Sequence, residues 1–189
     1  MSHPALIRFI EAASELNRTV AEPCHCVSAL APFMMDLIQH AGDFLEPEHY
    51  CCDEGHYTRN LIYRAADDGL SLYALVWLPG QWTPVHDHGS WGVVGVVEGV
   101  LEERSFVCLS ADRARDQGIE LVRGGVILLT PGSVTSFVPN PDHIHITGVS
   151  ADRPRAVGLH LYGRMMNNFH IYDVEAGTRQ LTEVDHNPN

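Results

Sequence analysis

The residues best placed to do chemistry are His86 and His88, which flank Asp87 in the run Gly80-Gln-Trp-Thr-Pro-Val-His86-Asp-His88-Gly-Ser-Trp-Gly92. On an extended strand, side chains at i and i+2 face the same way, so the two imidazoles can grip one metal ion. The spacing alone carries little weight. With 12 histidines in 189 residues, chance supplies roughly 0.8 His-x-His pairs. The chain has a second such pair, His143-Ile144-His145. A cysteine group, Cys24, Cys26, Cys51 and Cys52 with His25 and His56 nearby, also invites a metal reading. Its Cys-x-Cys and Cys-Cys spacings differ from the Cys-x2-Cys of structural zinc sites, so free or buried thiols are expected. Cys108 has no obvious partner. Five cysteines make an odd number for a disulfide framework and suit reduced thiols in a cytoplasm.

The elements that must position these groups change character near residue 55. Residues 3–18 place Leu6, Phe9, Ile10, Ala13 and Leu16 on one helical face, with Ser2 as expected N-cap and Pro4 in the first turn. Residues 23–41 form a second helical region through Val27, Leu30, Met34, Leu37 and Ile38, which Pro32 should break or kink. From Tyr57 the pattern is strand-like. Leu61–Arg64, Ser71–Leu78, Gly92–Val97, Leu101–Val107, Gly125–Leu129, Ile144–Thr147 and Ala156–Tyr162 are short runs parted by turns such as Pro79-Gly80, Glu98-Gly99, Pro131-Gly132 and Asn140-Pro141-Asp142. The fold class is therefore mainly β, a barrel or double-sheet jelly roll preceded by helices. Residues 1–55 are read as a helical region packed on the barrel, 56–178 as the barrel with the metal site, and 179–189 as a polar, loose tail, all within a single domain.

Composition excludes several classes. A net charge of −12 opposes a nucleic-acid or anionic-membrane partner, since phosphate binding needs a basic face. No apolar run approaches the roughly 20 residues of a membrane span, and no secretion signal is visible at the N-terminus. The expectation is a cytoplasmic protein acting on a small molecule, its oligomeric state open.

Five residues separate Gly80 from His86, and six separate Gly92 from Gly99. This spacing resembles the first cupin motif, Gly-x5-His-x-His-x3-Glu-x6-Gly, with Gly92 where the motif's glutamate ligand would stand. Gly125-x5-Pro131-Gly132 is similar to the second cupin motif, followed by a longer loop at Pro139–Asp142. Tyr57-Thr-Arg59-Asn-Leu61, Pro84-Val-His86-Asp-His88 and Gly158-Leu-His160-Leu-Tyr162 together resemble the thiol dioxygenase branch of the cupins, typified by cysteine dioxygenase. Each motif is weak alone; their order and spacing from Tyr57 to Tyr162 are fairly specific.

The resemblance implies a cupin-type jelly roll holding one Fe(II) on His86, His88 and His145. His145 is preferred to His143 because it lies 15 residues before His160, matching the family's spacing. Imidazole also suits zinc, copper and nickel, so the residues alone leave the metal open. By the same resemblance Arg59 anchors a substrate carboxylate, with Tyr57 adding a hydroxyl, and His160 orients a catalytic Tyr162. Arginine at 59, where glutamine is typical of 3-mercaptopropionate enzymes, implies an arginine-type bacterial member acting on L-cysteine; mercaptosuccinate and 3-mercaptopropionate are alternative thiols, and dioxygen is the co-substrate. Gly158 replaces the family's serine behind His160. Gly92 also replaces the cysteine that crosslinks to the tyrosine in animal enzymes, so Tyr162 should be unmodified. Trp77, Trp82, Trp91, Met165 and Met166 are expected as core and pocket wall. Arg164 is read as a solvated cation, or as the holder of a second carboxylate; His170 has no assigned role. The alternative of another class is a cupin that binds a small molecule or metal without catalysis.

Overall fold

The computed structural model describes residues 3–112, 115–139 and 143–187. α1 (Pro4–Thr19) has proline in its first turn, where the missing N–H would be unpaired in any case. Its N-cap is His3, whose Nδ1 accepts the Ala5 N–H at 3.3 Å. An imidazole lone pair thus does the work expected of Ser2, which lies outside the described residues. α2 (Pro23–Gln39) runs through Pro32 unbroken, against expectation. An interior proline costs roughly 3 kcal/mol. Leu30, Met34 and Leu37 flank it and are fully buried, each contributing about 1.5–3 kcal/mol on burial. Packing therefore outweighs the break. α3 (Ala41–Phe44) and a 3-10 turn at Pro47–Tyr50 lead into the strands.

The strands are β1 (Thr58–Arg64), β2 (Ser71–Trp77), β3 (Gly92–Glu98), β4 (Leu101–Cys108), β5 (Leu121–Leu129), β6 (Val134–Phe137), β7 (Ile144–Gly148), β8 (Ala156–Tyr162), β9 (Asn168–Asp173) and β10 (Thr178–Glu183). β6, β9 and β10 are additional to the expected runs. The Asn140-Pro-Asp142 turn lies outside the described residues.

The first sheet has the order β1-β2-β8-β3-β6, and its central strands are buried on both faces. On the outer face Leu72, Ala74, Val93, Leu159 and Leu161 pack under α1 and α2. Gly95 lets α2 press close: a Cβ there would meet Ile38 at 2.6 Å and Met34 at 2.9 Å. On the inner face stand Tyr73, Leu75, Trp77, Val94 and Tyr162. Period two thus sends His160 and Tyr162 inward while Leu159 and Leu161 face the helices.

The second sheet is built from β5-β4-β7 and the β9-β10 hairpin. An extended segment from Trp82 to His88 stitches these parts together. His86 and His145 exchange both backbone bonds at 3.0 Å, the Asp87 N–H donates to the His170 carbonyl, and the Tyr172 N–H donates to that of Val85. The expected metal strand is therefore a bridged segment and not a regular strand, since Pro84 has no N–H to give. The two sheets face each other as a double-sheet jelly roll without closing into one continuous ladder. Gly99 turns β3 into β4 at φ +73, where a Cβ would collide with the Arg155 carbonyl at 2.2 Å. β5 is exposed on both faces along most of its length, with Val126, Ile127 and Leu128 all uncovered.

The segment read as a loose tail is ordered by pairing. β10 runs alongside β9, and Asn187 docks on β1: its N–H donates to the Arg59 carbonyl at 2.8 Å and its carbonyl accepts from Leu61 at 3.1 Å. Polar side chains hid this because the backbone makes the contacts. No described helix is long and apolar enough to cross a membrane.

Candidate metal centre and pocket

The second sheet gathers three histidines. His86 and His88 come from the bridged segment and His145 from β7, and their ligand atoms lie within 4.8 Å of one another. All three are buried, at 6%, 4% and 6% exposure. Burial pushes the His86 and His88 rings well below the ordinary histidine range, and neighbouring imidazoles add to it. Burial also lowers His145, though Glu103 opposes it. Neutral imidazoles are the metal-binding form.

The ring orientations suit a shared ion. His86 Nδ1 lies 3.0 Å from the Pro84 carbonyl. Donation there leaves Nε2 with its lone pair free. His145 Nδ1 lies 3.2 Å from a Glu103 carboxylate oxygen, again freeing Nε2. His88 Nδ1 is buried with no hydrogen-bond partner among the described residues. Three buried neutral donors, two of them already oriented from behind, fit a single mid-to-late first-row divalent metal. Asp87, between the two ligands, holds the segment to β9: it accepts from the His170 backbone at 3.1 Å, pairs with the His170 ring at 3.0 Å and accepts from the Tyr172 hydroxyl at 2.8 Å. That is the place of His170.

His143 is not brought into the trio. It is half-buried and sits behind His145, with its Nε2 3.1 Å from His145 Nδ1 and 3.3 Å from Glu103. Nor does residue 92 contribute a ligand. A Cβ on Gly92 would fall 2.3 Å from Phe137, whose ring stacks on His88 at 4.1 Å between centroids. Phe137 fills the space that the cupin glutamate would need.

The first sheet supplies the opposite wall. Tyr57, Arg59, Trp77, His160 and Tyr162 line the same cavity as the three histidines, with Phe137, Met166 and Phe169 between. Arg59 is 7% exposed and has no carboxylate partner among the described residues. Its guanidinium lies over the Tyr73 ring at 4.8 Å and donates to the carbonyls of Met166 and Asp185. Of five N–H donors, three remain for a ligand. Tyr57 stacks on Trp77 at 5.6 Å. Burial raises its hydroxyl above the usual tyrosine range, with Arg59 opposing.

His160 Nδ1 lies 3.4 Å from the Tyr162 hydroxyl, and His160 Nε2 has no partner. Burial, with the fields of His145 and Arg59, pushes His160 down to about 3, so the ring is neutral. An orphaned lone pair costs less than an orphaned N–H, which puts the proton on Nδ1. That proton is then donated to Tyr162, leaving the phenol O–H free to point into the cavity. Burial also raises Tyr162 above its ordinary range, keeping it a neutral donor. A Cβ on Gly158 would stand 2.9 Å from His160 Nε2, so the missing serine leaves the back of this pair bare.

Arg164 is half-buried and does not line the cavity. Its guanidinium donates to the carbonyls of His88, Met165 and Asn168 and to the Asn168 side chain. Trp77 and Met166 do wall the pocket, Trp91 is buried, and Trp82 stacks under Arg104 instead. All five cysteines are free, and none joins a metal-binding cluster among the described residues. Glu103 escaped the sequence reading because Leu101-Glu-Glu-Arg-Ser reads as a solvated strand. The usable signal was that Glu103 shares a face with Leu101, which is fully buried.

A double-sheet jelly roll with three inward histidines is the architecture of a cupin metalloprotein. Comparison with known proteins gives the branch. The cysteine dioxygenase type I model matches residues 35–175, and the chain belongs to that family. Solved structures similar in fold include a double-stranded β-helix protein from Klebsiella pneumoniae (14% identity, 67% of this chain, 92% of that one, TM-score 0.48). A cupin-like protein from Thermotoga maritima matches at 15% identity (69% and 82%, TM-score 0.43). A cupin-like protein from Ralstonia eutropha matches at 12% (72% of each, TM-score 0.46).

Proposed function

We propose that this protein is an iron-dependent thiol dioxygenase of the arginine type, working in the cytoplasm. It adds both atoms of dioxygen to the sulfur of a small carboxylate-bearing thiol, with L-cysteine as the proposed substrate. The observation that carries the reading is Arg59, a buried cation without a carboxylate, facing the histidine trio across one cavity. Family membership supports the same chemistry.

In this reading His86, His88 and His145 hold one Fe(II). Bound there, iron would supply adjacent sites at which a thiolate and dioxygen meet and exchange electrons. Arg59 takes the substrate carboxylate with two parallel N–H donors, and the Tyr57 hydroxyl lies on the same wall. The sulfur is thereby aimed at the histidines, which turns an encounter of two small molecules into a positioned reaction. Tyr162, oriented by His160, donates its O–H toward the oxygen and sulfur as charge shifts between them. In balance, R–SH and O2 give R–SO2H. Two S–O bonds form and the O–O bond breaks, sulfur losing the four electrons that dioxygen gains. The thiol proton ends on the sulfinic acid.

Arg164 is committed to backbone carbonyls, so Arg59 is the single guanidinium lining the cavity among the described residues. One cation favours a monocarboxylate over mercaptosuccinate. Oxygen uptake by anaerobically iron-loaded protein, with cysteine, 3-mercaptopropionate, mercaptosuccinate and cysteamine in parallel, tests the proposal. Cysteine should give the highest kcat/KM and stoichiometric sulfinate. A faster mercaptosuccinate or 3-mercaptopropionate would correct the substrate. No thiol-dependent uptake would leave a binding cupin and defeat the enzymatic reading.

A further inference from the structure

Gly92 deprives the centre of a carboxylate ligand, yet a carboxylate stands one residue further out. Glu103 lies on β4, next to β7: Glu103 pairs with Thr147, and Ser105 with His145. It is 8% exposed and lines the same cavity as the histidine trio. One of its oxygens is 3.2 Å from His145 Nδ1 and the other 3.3 Å from His143 Nε2. No arginine or lysine pairs with it among the described residues. A buried carboxylate is costly unless it is paired or hydrogen-bonded, and here its partners are a candidate ligand and the histidine behind it.

We propose that Glu103 is a positioning residue for the metal: its carboxylate fixes the His145 ring with Nδ1–H toward β4 and Nε2 toward His86 and His88. The neutral His145 ring has one N–H at this nitrogen, and two acceptors compete for it, Glu103 and the Thr147 hydroxyl at 3.3 Å; His143 Nε2, 3.1 Å away, turns its own N–H to the other Glu103 oxygen. A charged acceptor binds an N–H about twice as strongly as a neutral one, so Glu103 takes it. The hydrogen bond also pushes electron density onto the ring, making Nε2 a better donor. A centre of three neutral imidazoles thus regains part of a carboxylate's charge without giving up a coordination position. His143 shares the second oxygen and keeps the carboxylate from turning away.

This inference rests on the three-histidine centre proposed above, and metal binding tests it without any thiol. Glu103→Gln keeps an acceptor of the same shape and removes the charge. Iron affinity, read by competition with a chelator under anaerobic conditions, should fall about 10- to 100-fold. The ferric/ferrous midpoint potential of the loaded protein should rise, because a negative charge near the iron has gone. A purely structural role would move neither quantity once circular dichroism shows the fold intact. His143→Ala should retain iron within a few fold, whereas loss comparable to His145→Ala would mean that Glu103, His143 and His145 form the metal site instead. Glu103→Gln with wild-type affinity and potential would overturn the proposal. If the variant loses affinity but the wild type oxidises no thiol, the positioning role stands and the dioxygenase reading falls. A wild-type chain that binds no divalent metal overturns both.

Discussion

The two sheets divide the labour of the cavity. Every candidate ligand belongs to the second sheet: His86 and His88 on the bridged segment, His145 on β7, with Glu103 behind it on β4. The groups that would handle substrate come from the first: Arg59 on β1, His160 and Tyr162 on β8, with Trp77 on β2. The first sheet is clamped between helices and cavity. The second leaves β5 largely exposed and is tied together at its ligand segment by isolated bridges and Asp87. The lesson is that metal uptake and thiol handling sit on different secondary structures. They should therefore separate under mutation, though both surfaces meet in one small cavity.

The largest effect should come from the second sheet. His86→Ala, His88→Ala and His145→Ala should each abolish iron loading, measured as iron per chain, with a folded apo-protein. Full iron content in any of them removes that residue from the ligand set. On the first sheet, Tyr162→Phe should keep iron and lower kcat about a hundredfold, the usual loss for one donor aimed at developing charge. A Tyr162→Phe protein that fails to bind iron would break the division between the sheets.

Arg59→Ala should also keep iron and raise KM for cysteine about 10- to 100-fold, the equivalent of roughly 1.5–3 kcal/mol for a charge-assisted bond. Turnover of cysteamine, which has no carboxylate, should be unchanged. Ending the chain after Glu183 removes the Asp185 carbonyl that braces Arg59 and the Asn187 docking on β1. It should raise the cysteine KM about fivefold with iron content unchanged, since one neutral hydrogen bond is worth about 1 kcal/mol. Equal KM values would show that Tyr73 and Met166 suffice to hold the guanidinium.

The smallest effect is on stability. His160 titrates near 3 when folded and near about 6.5 when unfolded. Between these values the unfolded chain binds the extra proton, so stability is full above about pH 6.5 and falls as pH drops toward 3. The metal-free protein should lose up to about 1.4 kcal/mol per pH unit from this group. His160→Gln should flatten that slope in urea titrations at pH 4 to 7. An unchanged slope would place the sensitivity on the second sheet's histidines.

Four of the five strands of the first sheet were legible in the chain, and β6 was not. Ser71–Trp77 and Ala156–Tyr162 are largely apolar runs between turn signals, the pattern of strands buried on both faces. The trio's first two members were legible from a spacing of two between well-placed glycines. β9 and β10 were not, because their pairing with each other and with the ligand segment is a matter of backbone bonds, and β10's side chains are largely polar. Pro32 misled because local propensity was outvoted by three buried side chains. Arg164 misled because a cation in sequence carries no sign of whether water or carbonyls will receive it.

By itself the sequence determined the mainly β fold, the period-two faces that turn His160 and Tyr162 inward, and the lack of a carboxylate ligand at residue 92. These are local facts, set by side-chain alternation and residue type. Spacing to His160 already favoured His145 over His143; only the tertiary structure shows that Phe137 fills the gap above Gly92, that Arg59 has no carboxylate partner among the described residues, and that Glu103 stands behind His145. Each of these depends on which strand lies beside which, and long-range pairing leaves no mark on the spacing of neighbouring residues.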